Sequence, residues 1–167
     1  MYPLKSLSVD AIPLALDKAE RYRLLSQPWA AESICLDILA GAPGHQHALR
    51  VLLLACTDQF DDESSRRGAR AREVLVQLTS EYEKSYYAGI IAERLARARM
   101  KHRAADSGHV AYEHLREAMA CYERAEPLRP SDDDDAILRW NSCARLLNES
   151  PHLTPREVEP LSPILGE

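Results

Sequence analysis

The sequence predicts an all-α protein built of antiparallel helix pairs. Three observations carry that prediction. Alanine, leucine, arginine and glutamate dominate the 167 residues, while glycine is held to 6 and phenylalanine to 1, a composition that favours helix over sheet. Apolar residues recur at intervals of three and four through most of the chain, which places them on one face of a helix. Proline, glycine and serine fall mostly at the ends of those stretches, where they start or stop helices.

Ser8 can cap a first helix whose apolar residues Ala11, Ala15, Ala19, Tyr22 and Leu25 keep helical spacing, with Pro13 tolerated in the first turn. Ser26 or Gln27 caps a second helix. Pro28 stands at its first position, and Ala31, Ile34, Cys35, Ile38 and Leu39 share one face before Gly41 and Pro43 stop it. His45 to Phe60 supplies a third, with a broad stripe of Ala48, Leu49, Leu52, Leu53 and Cys56. Thr57 to Arg67 loses the period and reads as a polar loop or a capped helix start, after which Ala71, Leu75 and Leu78 open the paired helix. Ser80 with Glu83 forms a capping box for a long helix through Tyr86, Tyr87, Ile90, Ile91, Leu95 and Ala98. Lys101 to His109 is its exit loop. Val110 to Pro127 then buries Leu115, Ala118, Met119, Tyr122 and Ala125, and a last helix, Ala136 to Leu147, carries Leu138, Trp140, Cys143, Ala144 and Leu147. Residues 1–7 read as an N-terminal extension, 8–147 as one helical domain, and 148–167, with four prolines, as an extended and partly mobile tail.

Within the sixth of these stretches, Ala118, Tyr122, Ala125 and Pro130 stand at offsets of zero, four, seven and twelve. Ala31, Cys35, Ile38 and Pro43 repeat the offsets, and Ala19 and Tyr22 fill the small and aromatic sites of the helix before them. The pattern resembles the tetratricopeptide repeat, a helix-turn-helix unit of about 34 residues whose small residues let helices approach while large ones fill the groove. The resemblance implies a tetratricopeptide-like α-solenoid of about three repeats plus a C-terminal capping helix, with Tyr22 and Tyr122 in its core. Pro43 and Pro130 are 87 residues apart, 19 more than two such periods, so the array must carry insertions.

In that family the first helices of successive units line a concave groove that receives an extended peptide or a partner helix. The resemblance therefore implies a non-catalytic adaptor or scaffold whose groove is lined by Arg50, Leu54, Tyr86, Ile90, Glu93, Arg94 and Asn141. Some members grip the carboxylates of chaperone tails with lysines and asparagines. Leu16, Glu20, Arg50 and Leu54 stand at those sites here, so a different, partly apolar ligand is expected.

Charge and motif content narrow the alternatives. A net charge of -5 argues against a general affinity for nucleic acid or anionic membrane, and no apolar run reaches the roughly 20 residues of a membrane span, so a cytoplasmic address and a protein partner are expected, with the chain a monomer or homodimer. Cys35, Cys56, Cys121 and Cys143 are far apart, form no C-x-x-C pair and read as buried apolar residues. Asp132 to Asp135 could hold a hard cation, which with nearby histidines would make a small helical enzyme or metal-dependent regulator. The run sits just ahead of a helix, however, where carboxylates complement the dipole, and no calcium-loop spacing, H-E-x-x-H, G-x-S-x-G or glycine-rich phosphate loop is present. No catalytic residue, metal or cofactor is expected. The basic row Arg94, Arg97, Arg99 and Arg103, with Lys101, could hold an anionic group or be a solvated face neutralised by Glu81, Glu83 and Glu93. Trp140 reads either as packed against the Tyr122 helix or as lining a surface pocket.

Overall fold

The structure, a computed structural model, describes residues 2–60, 64–101 and 106–156. Among these there are seven α-helices and no strand: α1 (Ile12–Leu24), α2 (Pro28–Gly41), α3 (Gln46–Thr57), α4 (Ser64–Leu75), α5 (Glu81–Lys101), α6 (Ser107–Ala125) and α7 (Asp135–Glu149). Short 3-10 turns at Val9–Ala11 and Glu126–Leu128 precede α1 and follow α6. Each helix packs on the next along the chain, and none of the described ones is long and apolar enough to cross a membrane. The chain is therefore all-α.

Local chemistry sets most of the boundaries. Pro13 and Pro28 lie in the first turns of α1 and α2, where a missing N–H costs nothing. The Ser80 hydroxyl accepts from the Glu83 backbone N–H at 3.3 Å, the N-terminal half of the expected capping box. Ser26 acts differently from expectation. Its φ of 59° puts it in the left-handed region; its N–H donates to the Arg23 carbonyl, and the Gln27 N–H reaches back to that of Tyr22 at 2.8 Å. That pair of bonds closes the C-terminus of α1, a role glycine usually fills, so Ser26 ends one helix rather than capping the next. Gln27 holds the N-cap position of α2 and makes no side-chain cap bond, and neither does Ser8 at the head of the first 3-10 turn.

Two helices begin or end elsewhere than the periodicity suggests. α4 stops at Leu75, so Leu78 is buried from the following turn, and α6 starts at Ser107, taking in residues read as a loop. Of the polar stretch Thr57 to Arg67, residues 61–63 lie outside the described residues, as does Arg103 of the basic row.

The core has two main parts. One joins α2, α3 and α4 to the middle of α5 through Cys35, Leu49, Leu53, Cys56 and Ile91; the other joins α5, α6 and α7 through Ile90, Leu115, Ala118, Tyr122 and Cys143. All four cysteines are buried free thiols. Burial pushes Cys35 and Cys143 up to about 12 and Cys56 up to about 11. The start of the tail is packed rather than extended: Leu153 is buried in the second core, and the His152 carbonyl lies so close to Gly108 that a Cβ there would meet it at 2.7 Å. Residues 157–167 lie outside the described residues.

The N-terminal hairpin is covered on one side alone. Nine of the twelve exposed large apolar side chains among the described residues fall between Tyr2 and Leu36, including Trp29 at 66%. Tyr22, expected in the core, is 37% exposed for this reason: α1 buries Leu16 and Ala19 against its neighbours, and no helix among the described residues covers the side on which Tyr22 stands.

Candidate functional site: a polar seam along α1, α3, α5 and α7

Alternate helices are stitched together by side-chain bridges whose order reveals their direction. From α1 to α3, Glu20 meets His47 at 2.6 Å and Arg23 donates to Asp58, just past the end of α3, at 2.7 Å. From α3 to α5, Arg50 donates to Glu83 at 2.6 Å, while Arg94 binds Asp58 and the Thr57 hydroxyl, the latter at 2.9 Å. From α5 to α7, the Tyr82 hydroxyl donates to Asp133 at 2.8 Å and Arg139 lies 3.6 Å from Glu93. In every case later residues of one helix meet later residues of the other. The odd-numbered helices therefore share one direction along a bridged row, or layer, and each even-numbered helix packs on its neighbours in the chain.

Asp58 is the junction of this layer. Its two carboxylate oxygens take Arg23 from α1 and Arg94 from α5, so one side chain ties three helices. The sequence gives little sign of it, because Asp58 lies in a stretch without period and both partners are more than thirty residues away.

The residues expected to line a groove divide into two groups. Arg50, Leu54, Tyr86 and Arg94 are half-buried along the α3–α5 seam: Arg50 holds Glu83, Leu54 and Tyr86 pack beside the Tyr122 core, and Arg94 holds Asp58. Asn141 is half-buried on α7, away from those four in chain order but on the same layer. Ile90 and Glu93 do not belong with them. Each is 1% exposed, because they fall on the side of α5 that faces α6 and α7, so neither offers a surface to a partner.

Glu93 is instead the acceptor of a buried network. Its Oε2 takes the Tyr122 hydroxyl at 2.9 Å, and its Oε1 takes Arg97 at 3.1 Å. Arg97 and Arg139, both about half exposed, bring two positive charges to one carboxylate, which is how a charge is kept in a core. Burial, followed by the Glu93 charge, raises the Tyr122 hydroxyl well above its usual range, so it remains a donor. For Arg139 burial acts to lower the pKa, but Glu93 and Tyr86 outweigh it and the net shift is upward.

Two members of the basic row are thus engaged. Arg94 answers to Asp58 and Arg97 to Glu93, while Glu83 and Glu81 take Arg50 and Lys84. Among Asp132 to Asp135, Asp133 takes Tyr82 and the Asp135 backbone N–H, and Asp134 takes Arg129. No group of three or more histidine, cysteine or acidic residues among the described residues could hold a metal ion. Trp140 answers to both readings of the sequence: it packs against the Tyr122 core, and its indole N–H donates to Glu123 of α6 at 2.9 Å beside an open pocket.

No protein-family model, curated protein or solved structure matches the chain. The functional reading therefore rests on the residues themselves.

Proposed function

We propose that the protein is a non-catalytic interaction module, a tetratricopeptide-like adaptor or scaffold that receives a peptide or partner helix along the α3–α5 face. The observation that supports this most directly is the parallel layer of odd helices, with half-buried Arg50, Leu54, Tyr86 and Arg94 arranged along one seam. Long side chains fixed by bridges are already ordered. A partner that meets them loses less conformational entropy than it would against free arginines. The repeat-like offsets at Ala118, Tyr122, Ala125 and Pro130 add support, since the three helical ones are buried where they set helix spacing and leave the other faces for recognition.

The test has to separate binding from folding, because Arg50→Glu alone would set two carboxylates against each other. The double exchange Arg50→Glu with Glu83→Arg restores an ion pair with reversed direction. With the full chain immobilised and its native cell extract as the source of partners, the wild type should retain a polypeptide saturably. The exchanged variant should lose it while its thermal midpoint is unchanged. Retention unaffected by the exchange would remove the seam as the binding face.

A further inference from the structure

At the C-terminal end of the described helices, α6 and α7 flank an open pocket that the seam does not use. Its four lining residues are Glu123 and Glu126 from the end of α6 and the turn after it, and Ile137 and Trp140 from α7. The space is about 260 Å³, below the roughly 300–1,000 Å³ of sites that hold whole small ligands and suited to one long side chain. Its lining is of two kinds: the apolar side chains of Trp140 and Ile137, and the acidic residues Glu123 and Glu126.

The electrostatics are one-sided. The Glu123 carboxylate accepts the Trp140 indole N–H, a neutral donor, and neither glutamate has an ion pair among the described residues. The nearby arginines are turned elsewhere. Arg124 donates to the Cys121 sulfur, Arg129 binds Asp134 and the Glu126 backbone carbonyl, and Arg139 leans on Glu93. Two glutamates without an ion pair among the described residues therefore line the pocket together with an indole, a ring whose π-face is negative.

Such a pocket matches a cation on an alkyl stem. The stem would lie on Ile137 and Trp140, and the charged end would meet both the carboxylates and the ring, an attraction worth about 0.5–1 kcal/mol at an exposed site. We infer that this pocket binds a lysine or arginine side chain of a partner polypeptide. The inference deepens the interaction-module reading and rests on it, giving the partner a chemistry: a segment carrying a basic residue, drawn also by the chain's net charge of -5.

The experiment uses the full chain and small probes. With two tryptophans, Trp29 and Trp140, the ¹⁵N-labelled protein gives two indole N–H signals, and Trp140→Phe assigns them. N-acetyl-arginine amide and N-acetyl-lysine amide are titrated in, with N-acetyl-norleucine amide as the alkyl control without charge. The Trp140 signal should shift saturably at millimolar concentration with either basic probe and not with norleucine, and the Trp29 signal should stay in place. Glu126→Gln, which leaves the indole bond to Glu123 intact, should weaken binding by roughly two- to fivefold, and added salt should weaken it further. A Trp140 signal that ignores the basic probes, or that norleucine shifts equally, overturns the inference. Either result leaves the Arg50–Glu83 exchange free to decide the seam, so the two readings fail separately.

Discussion

Replacing Gly89 by alanine should destabilise the protein, even though the site lies within the 21 residues of α5, where alanine ordinarily gains about 0.8–1 kcal/mol over glycine. The reason is the Tyr122 ring. A Cβ at position 89 would meet its Cδ1 at 2.7 Å and Cζ at 2.8 Å, and Cε1 more closely still. A flexible side chain could retreat; this one is 1% exposed, is held by its hydroxyl to Glu93 at 2.9 Å, and has the Tyr86 ring 5.9 Å away, centre to centre. Overpacking of this kind costs about 1–3 kcal/mol, so after the helical gain the net loss is roughly 0–2 kcal/mol. Urea unfolding at neutral pH would measure it as a lower midpoint at unchanged slope. The same change in a Tyr122→Leu background should swing towards the ordinary gain, because the ring is gone. A stabilised Gly89→Ala single variant would refute the reasoning at its first step.

Further predictions follow from the same contacts. Tyr122→Phe keeps the ring but removes the donor to the Glu93 carboxylate, and should cost about 1.5–3 kcal/mol in urea unfolding. Tyr122→Ala, by analogy with buried aromatic truncations, should cost about 3–5 kcal/mol. Ser26→Gly relieves a left-handed backbone at φ 59° and should raise stability by about 1 kcal/mol, read as a higher thermal midpoint. Cys35, Cys56 and Cys143 keep their protons up to about 12, 11 and 12, against 9.0 when exposed. The unfolded chain thus releases protons that the folded chain holds. Their contribution to stability is full below about pH 9 and falls as pH rises towards 11–12. Urea midpoints taken from neutral pH upward should show that decline, and a midpoint that rises in this window would contradict it.

The helices were legible because each carries its own apolar period and its own stop signals: Pro28, Gly41 and Ser80 mark boundaries through backbone chemistry that acts within a few residues. Tyr122 was legible for a related reason, since Ala118 and Ala125 stand at helical offsets from it on the same buried face. Ser26 was misread because serine serves either end of a helix, and only the turn's φ distinguishes the two. Tyr22 failed on a global property, its position on a terminal helix with an uncovered side. Along α5 the sequence could not separate the faces. Neighbours on both sides of the helix make Ile90, Glu93 and Arg94 look alike, yet the first two turn into the core and the third to Asp58. Asp58 and the Glu123–Trp140 pairing depend on long-range or inter-helix juxtaposition, which no local period encodes.

The two kinds of contact respond differently to the medium. Apolar packing joins sequential helices and also α3 to α5, and salt leaves it in place or strengthens it. The bridges between alternate helices include the partly exposed ion pairs Arg23–Asp58–Arg94 and Arg50–Glu83, which salt screens once the Debye length shrinks towards about 3 Å near 1 M. Ionic strength therefore weakens the charged bridges between alternate helices, while the apolar packing that holds the same helices persists.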